Sequence, residues 1–302
     1  MNILLTGAAG LIGMALRPLL AEHGHKVVPI DITDFGRGDS GLKHIPLDQR
    51  KPLEALIREH ELDAIVHCAA VSGPMMFQGE PLKIIAANID ATALLLDLAR
   101  EHKMKRFVFC SSISVYGNVG KATISEVTPF APTSVYGATK AACEQLIQGF
   151  SAQYDLSGVS LRISRVYGPY RRANCHLNSI IRNSEKGIVT EVPCEPDFIY
   201  HYIYVDDVAE GILTTLEARE LPHRVYNIGS GEAMTMPAIV EAVTAANPQM
   251  RGRLVAGKDD VPDVQTAFDI SLIDKDLGWR PRFKVGQGVA AYREAIMAGR
   301  SA

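Results

Sequence analysis

The chain has 302 residues, 47% hydrophobic and 22% charged, with 31 basic against 34 acidic residues and a formal net charge of -3. At roughly 100–200 residues per domain this means about two domains, or one large α/β unit with an appended lobe. The missing basic excess argues against a nucleic-acid partner. Nothing in the charge draws the chain to a membrane.

Taken in chain order, apolar runs at 3–5, 27–30, 64–68, 107–110 and 159–163 are strand-sized, rich in Val, Ile or Phe, and show little alternation. That pattern predicts strands buried on both faces of a parallel sheet. Helical periodicity lies between them at 11–22, 53–60, 82–102 and 136–153, with Pro52 and Pro81 where helix starts are expected. The alternation predicts an α/β fold, a doubly wound parallel sheet of Rossmann type over residues 1–168. After Gly168 the pattern shortens into strands near 199–204 and 224–228 and helices near 208–217 and 237–246. Residues 169–302 read as a smaller mixed α/β substrate-binding lobe, with a stretch near 199–217 returning to the first domain. Apolar residues begin at Ile3 and run straight into a glycine turn, and there is no run of about 18 apolar residues. Neither a signal peptide nor a membrane span is expected, and a cytoplasmic location follows. The cysteines, Cys68, Cys110, Cys143, Cys175 and Cys194, are odd in number and lack a CxxC spacing. They predict buried thiols in a reducing compartment, with no disulfide framework and no metal site.

The first strand runs into Thr6-Gly7-Ala8-Ala9-Gly10-Leu11-Ile12-Gly13 and then into a helix. Gly7 permits the tight turn, Gly10 lets backbone approach a pyrophosphate, and Gly13 lets helix pack on strand. The first helical residues, Leu11 and Ile12, place free N–H groups and the positive helix end at the phosphates. Asp31 ends the second strand, 18 residues beyond Gly13. Its oxygens suit the ribose hydroxyls of NAD and would repel a 2′-phosphate, so NAD is favoured over NADP. Asp48 follows another apolar stretch and is a candidate adenine contact.

Tyr136-Gly137-Ala138-Thr139-Lys140 opens a helix, where residues four apart share a face. A tyrosine ionises near pH 10 in water and needs about 4 kcal/mol of preferential phenolate stabilisation to act as a base near neutrality. A neighbouring ammonium and a positive nicotinamide ring supply stabilisation of that kind. Upstream, Phe109-Cys110-Ser111-Ser112-Ile113-Ser114-Val115-Tyr116-Gly117 ends a strand, and in open α/β sheets ligands bind beyond strand carboxyl ends.

In these motifs the chain resembles the extended short-chain dehydrogenase/reductases, the NAD-dependent epimerase/dehydratase family. The matching features are residues 6–13, Asp31, His67-Cys68-Ala69-Ala70, Asn88, Ser112, Tyr136, Lys140, Arg162, Tyr167-Gly168-Pro169 and Tyr204-Val205-Asp206-Asp207-Val208, in family order over almost the whole chain. The resemblance implies Ser112, Tyr136 and Lys140 as catalytic residues, with Lys140 also holding the nicotinamide ribose. It implies Asn88 as a support, Ala69 to Ser72 as cofactor and substrate lining, Asp207 as a structural anchor and a homodimer through the helices at 82–102 and 136–153. Candidate substrate contacts are Ser72, Ser112, Ser114, Arg171 and His176, and Met75, Met76 and Phe77 are candidates to shape or cover the pocket.

All three family branches begin with hydride transfer from a secondary alcohol. Sugar-nucleotide dehydratases carry Asp-Glu after the catalytic Thr, whereas Ile113-Ser114 follows Ser112 here, so dehydration is disfavoured. Epimerase relatives have Asn where this chain has Arg165, and Arg-Asp where it has Tyr200-His201; Arg171-Arg172 could compensate by forking onto phosphate or carboxylate. The leading expectation is an epimerase of a sugar or nucleotide sugar. A dehydrogenase of a free sugar or sugar acid comes second, and a non-catalytic NAD-binding regulator is a third reading from another class.

Overall fold

A computed structural model describes residues 1–73, 76–77, 79–173, 175–258 and 263–300. The first half alternates strand and helix: β1 (Asn2–Thr6), α1 (Leu11–Glu22), β2 (Lys26–Asp31), β3 (Lys43–His44), α2 (Arg50–Glu59), β4 (Ala64–His67), α3 (Pro81–Ile85), a π-helical turn (Ala86–Asp90), α4 (Ala91–Glu101), β5 (Arg106–Ser112), a 3₁₀ turn (Ile113–Val115), β6 (Gly120–Ile124), α5 (Val135–Tyr154) and β7 (Gly158–Ile163). The second half holds β8 (Arg165–Tyr167), α6 (His176–Ser184), β9 (Thr190–Cys194), β10 (Ile199–Tyr200), β11 (Tyr202–Tyr204), α7 (Val205–Glu217), β12 (Val225–Ile228), β13 (Met234–Thr235), α8 (Met236–Ala246), β14 (Gly252–Ala256), β15 (Gln265–Phe268), α9 (Ser271–Leu277) and α10 (Val285–Met297).

Seven parallel strands form the main sheet in the order β12-β7-β5-β4-β1-β2-β3. Strand order reverses between β1 and β4, which opens a crevice at their carboxyl ends. Alternate residues of each strand feed opposite cores. Leu4, Ile65, Phe107 and Phe109 pack with α2, α4 and α5 through Leu53, Leu95, Leu96, Cys143 and Ile147. Ile3, Leu5, Val66 and Val108 pack on the other face with Leu16 and Leu20 of α1 and Val208 and Ile212 of α7. The non-alternating apolar runs therefore have the two-sided burial they imply.

Three expectations differ from the structure. The run near 224–228, expected in the small lobe, instead forms β12, which pairs in parallel with β7 and closes the main sheet. Four apolar residues carry no information about which sheet they join. The helix expected over 82–102 contains the π turn at Ala86–Asp90, which gives Asn88 an environment that helical periodicity does not encode. The 199–204 segment divides into β10 and β11, which pair with different partners, β13 and β8.

A charged pair is buried inside the first half. Glu144 on α5 and Arg162 on β7 meet at 2.8 Å with side chains 0% and 4% exposed. Glu144 also accepts from Ser111 Oγ at 2.5 Å, and Arg162 donates to the Tyr116 hydroxyl and the Glu126 carbonyl. Burial works against the guanidinium charge, but Glu144 outweighs it and holds Arg162 above its ordinary range. Removing one partner strands the other. Glu144→Ala is expected to cost about 3–5 kcal/mol, read as a lower urea midpoint, with partial recovery when Arg162→Met is added.

Candidate active site

The site assembles where β1, β4, β5 and α5 meet. Gly7 has φ +67°, and a Cβ there would lie 2.6 Å from the Ala69 amide nitrogen. A Cβ on Gly13 would fall 2.4 Å from the Gly7 carbonyl oxygen. Both positions therefore demand glycine, for a turn pressed onto β4 and a helix pressed onto the turn. Gly10 caps α1 in an extended conformation with no side-chain acceptor, an arrangement in which the first helical amides, those of Leu11 and Ile12, suit an anion. Asp31 ends β2 and accepts from the amides of Ala9 (3.1 Å) and Ile32 (2.8 Å). A carboxylate has about four lone-pair positions, so acceptor capacity for a ribose diol remains. This cradle fits a dinucleotide. Arg37 donates to the Ala9 carbonyl at 2.8 Å beside it. Asp48 lies exposed in the turn beyond the edge strand β3.

Ser112 is the last residue of β5, 8% exposed, and its hydroxyl accepts from the Ser114 amide at 3.2 Å, capping the 3₁₀ turn. The helix bearing Tyr136 approaches this turn closely: a Cβ on Gly137 would lie 2.5 Å from the Ser114 carbonyl oxygen. Ser134 caps that helix by accepting from the Gly137 amide at 3.1 Å. Tyr136 is 8% exposed at the opening of α5, and Lys140 is buried one turn on. The Lys140 ammonium donates to the Cys110 carbonyl at 2.7 Å and sits 6.0 Å from the Tyr136 ring centroid. Ser112, Tyr136 and Lys140 thus share one corner above the carboxyl end of β5.

A buried hydrogen-bond chain ties this corner to the glycine turn. The Ala69 amide donates to Thr6 Oγ1 (3.2 Å), which contacts His67 Nδ1 (2.7 Å); His67 Nε2 contacts Thr92 Oγ1 (3.0 Å), and Thr92 donates to the Asn88 carbonyl (2.6 Å). Because Thr92 spends its proton on Asn88, His67 must donate from Nε2 and accept at Nδ1; the tautomer is assigned from the network. The Asn88 side chain holds Val71 by both its N–H and its C=O, and donates to Thr139 Oγ1 at 2.9 Å. Thr139 donates to the Tyr136 carbonyl at 2.8 Å. Asn88 therefore supports both the loop leading to Ser72, which is exposed, and the helix turn carrying Tyr136.

Other expected contacts are spread more widely. Ser114 is buried beneath Gly137. Arg171 donates to the Val166 carbonyl at 2.7 Å, Arg172 lies over the Phe35 ring at 4.7 Å, and His176 opens α6. His201 is buried, its Nε2 contacts the Gln265 carbonyl, and burial lowers its basicity. Met76 and Phe77 are exposed, and Met75 lies outside the described residues. Asp207 accepts from the amides of Arg282 (2.9 Å) and Phe283 (3.0 Å), an anchor for the C-terminal segment. Sequence reasoning assigned no role to Thr6, Thr92, Thr139, Ser134 or Glu144. Of these, Thr6, opening the glycine motif, Thr139, inside the Tyr-Lys motif, and Glu144, one turn past Lys140, had positional signals. Among the described residues no cluster of three or more potential metal ligands occurs and no helix is long and apolar enough to cross a membrane.

A family model described as the NAD dependent epimerase/dehydratase family matches residues 3–229. The chain is 28% identical to the UDP-glucose 4-epimerase of Corynebacterium glutamicum, over 93% of this chain and 91% of that protein. It is 31% identical to an uncharacterized UDP-glucose epimerase of Bacillus subtilis, over 99% and 100%. Among solved structures, the Thermus thermophilus UDP-glucose 4-epimerase in complex with NAD superposes with a TM-score of 0.87 at 26% identity, covering 98% and 99% of the two chains.

Full burial, and next the nearby Lys140 charge, depress His67 to about 3. The unfolded chain takes up this proton near pH 6.5, so between the two values the unfolded state binds more protons and stability falls as pH falls. The expected loss below pH 6.5 approaches about 1.4 kcal/mol per pH unit, and His67→Gln should flatten that slope in urea melts at about pH 7, 6 and 5.

Proposed function

The chain belongs to the NAD-dependent epimerase/dehydratase family, and on that premise we propose that it epimerises a secondary carbinol centre of a nucleotide-linked sugar. The observation that carries the reading is the convergence of Ser112, Tyr136 and Lys140 at the crevice, with no carboxylate following Ser112. NAD, when bound, accepts hydride from a carbinol carbon and can return it. Gly7, Gly10, the amides of Leu11 and Ile12, Asp31 and Ala69 would hold its adenosine and phosphate half, and Lys140 its nicotinamide ribose.

The protein groups handle the proton. Tyr136 takes the carbinol proton as general base and returns it as general acid. Ser112 hydrogen-bonds the reacting oxygen and aims it at Tyr136. The Lys140 ammonium supplies the countercharge, fixed in place by the Cys110 carbonyl. A dehydratase needs a further acid and base to expel hydroxide, and Ile113-Ser114 offers no carboxylate for that work.

The nucleotide-linked substrate is favoured over a free sugar by the strand pair β8–β11. Arg165 and Tyr202 are register partners, and the Arg165 guanidinium lies 5.3 Å from the Tyr200 ring and 5.7 Å from the Tyr202 ring. Position 200, where relatives place arginine, thus meets a guanidinium from the adjoining strand. Arg165 follows directly on β7, whose Ile163 pairs with Ser112, so it stands at the same carboxyl edge as the catalytic serine. In this reading Arg165 takes the diphosphate. Leu82 and Ile85 on α3 and Val135 on α5 are exposed on helices that pack together, and we assign them to a homodimer face. The free cysteines suit a cytoplasmic enzyme.

Purified protein with NAD and a panel of UDP-sugars should interconvert one pair of C-epimers without net NADH. Stoichiometric NADH from a free sugar or sugar acid would instead establish the dehydrogenase reading. Tyr136→Phe should lower kcat by about 10²–10⁴-fold while NADH binding persists. Arg165→Met should raise KM for a UDP-sugar by more than it lowers kcat. Sedimentation should give a dimer that Leu82→Asp weakens.

A further inference from the structure

Cys68 follows directly on β4, and Cys110 lies in β5. The register His67↔Phe109 puts the two cysteines opposite each other on adjacent parallel strands. Their sulfurs are 3.4 Å apart. Cys110 is buried and Cys68 is partly buried. Neighbouring strands run about 4.8 Å apart, inside the Cα separation of about 4.4–6.8 Å that a disulfide spans. The other cysteines are placed differently: Cys143 contacts Asn88 and Thr92, and Cys175 contacts the Tyr202 hydroxyl.

Both cysteines are built into the cofactor site through their backbones. The Cys110 carbonyl is the acceptor that holds the Lys140 ammonium. The Cys68 carbonyl carbon lies 2.8 Å from where a Cβ on Gly7 would sit, so the chain at Cys68 is pressed against the glycine turn with no slack. Joining the sulfurs needs a bond of about 2.05 Å, which draws the ends of β4 and β5 together. That movement acts on the Gly7 turn from one side and on Lys140 from the other.

We propose that Cys68 and Cys110 form a thiol–disulfide couple in the floor of the cofactor site, oxidised by hydroperoxides, and that the disulfide form binds NAD(H) more weakly. The Cys68 thiolate attacks one peroxide oxygen, the O–O bond breaks, and Cys68 becomes a sulfenic acid as water or an alcohol leaves. Cys110 sulfur then attacks the Cys68 sulfur, the S–S bond forms, and the sulfenic oxygen leaves as water with the Cys110 proton. Two thiols give up two electrons and the peroxide takes them; a dithiol reductant reverses the change by exchange. The hydrogen bond with Cys110 and then burial hold the Cys68 thiol above its ordinary range, while Lys140 pulls the other way, so the disulfide accumulates under sustained peroxide rather than at once.

The effect on NAD(H) rests on the cofactor reading; the cross-link does not. Reduced full-length protein is treated with excess hydrogen peroxide, blocked with N-ethylmaleimide, digested and mapped by mass spectrometry, and parallel samples are titrated with NADH by fluorescence. The expected result is a Cys68–Cys110 linked peptide and a Kd for NADH raised about tenfold or more, both reversed by dithiothreitol. Cys68→Ser and Cys110→Ser should each abolish the link and keep their own untreated NADH affinity after peroxide. Peroxide that leaves both thiols free, or carries Cys68 to sulfinic acid without a link, overturns the couple. A linked form that binds NADH as the reduced form does overturns the assigned consequence. Reduced protein that binds no NADH overturns the cofactor reading and that consequence with it, while the peptide map still decides the couple.

Discussion

The site depends on a buried line of hydrogen bonds that crosses the sheet at its switch point, from the Ala69 amide through Thr6, His67 and Thr92 to Asn88, and from Asn88 through Thr139 to the Tyr136 carbonyl. Each donor meets one acceptor, so the direction of every proton is set. A histidine in this position is confined to its neutral form: a second ring proton would face a threonine oxygen whose own proton already points at the ring. Satisfied networks of this kind are stiff, because breaking any bond strands a polar group out of reach of water. The stiffness falls on the loop after β4 and on the turn that carries Tyr136, both fixed by the same chain.

Steric contact does the complementary work. Gly7, Gly13 and Gly137 each occupy a place where a methyl group would overlap backbone. Two of them seat the glycine turn between β4 and α1; the third seats the tyrosine helix against the turn that follows Ser112. Ser112 and Tyr136 are brought to one corner by main chain meeting main chain, which yields less than side-chain packing does. The Glu144–Arg162 pair then ties α5 to β7 one turn beyond Lys140. Its buried charges do not make the protein more stable than a packed apolar pair would. What they add is register between a helix and a strand whose ends both open into the crevice.

The two departures from the family pattern, Arg165 and Tyr200, look unrelated on a linear chain. In the fold they lie in contact, with the guanidinium against the ring. The Arg165 guanidinium thus stands beside position 200, where the proposed reading has it take over the diphosphate contact. The same closeness across strands brings Cys68 and Cys110 together, although 42 positions separate them in the chain.

Much of the protein was legible in the sequence because the signals are local. Non-alternating apolar runs mean strands buried on both faces; a glycine turn between strand and helix means an anion site; tyrosine and lysine four apart share a helical face. Those rules located five of the seven main strands and α1 to the residue, and they singled out Gly7, Gly10, Gly13, Asp31, Ser112, Tyr136 and Lys140, which the fold brings to the carboxyl ends of the strands. Only the tertiary structure decided what depends on distance through space: that β12 closes the main sheet, that Asn88 sits on a π turn and holds two elements at once, that Thr6, His67 and Thr92 form a single chain, and that Arg165 meets Tyr200. Periodicity encodes which face of an element is buried. It carries no information about which distant residue lies across that face, because that choice is made by strand order and helix packing over the whole chain.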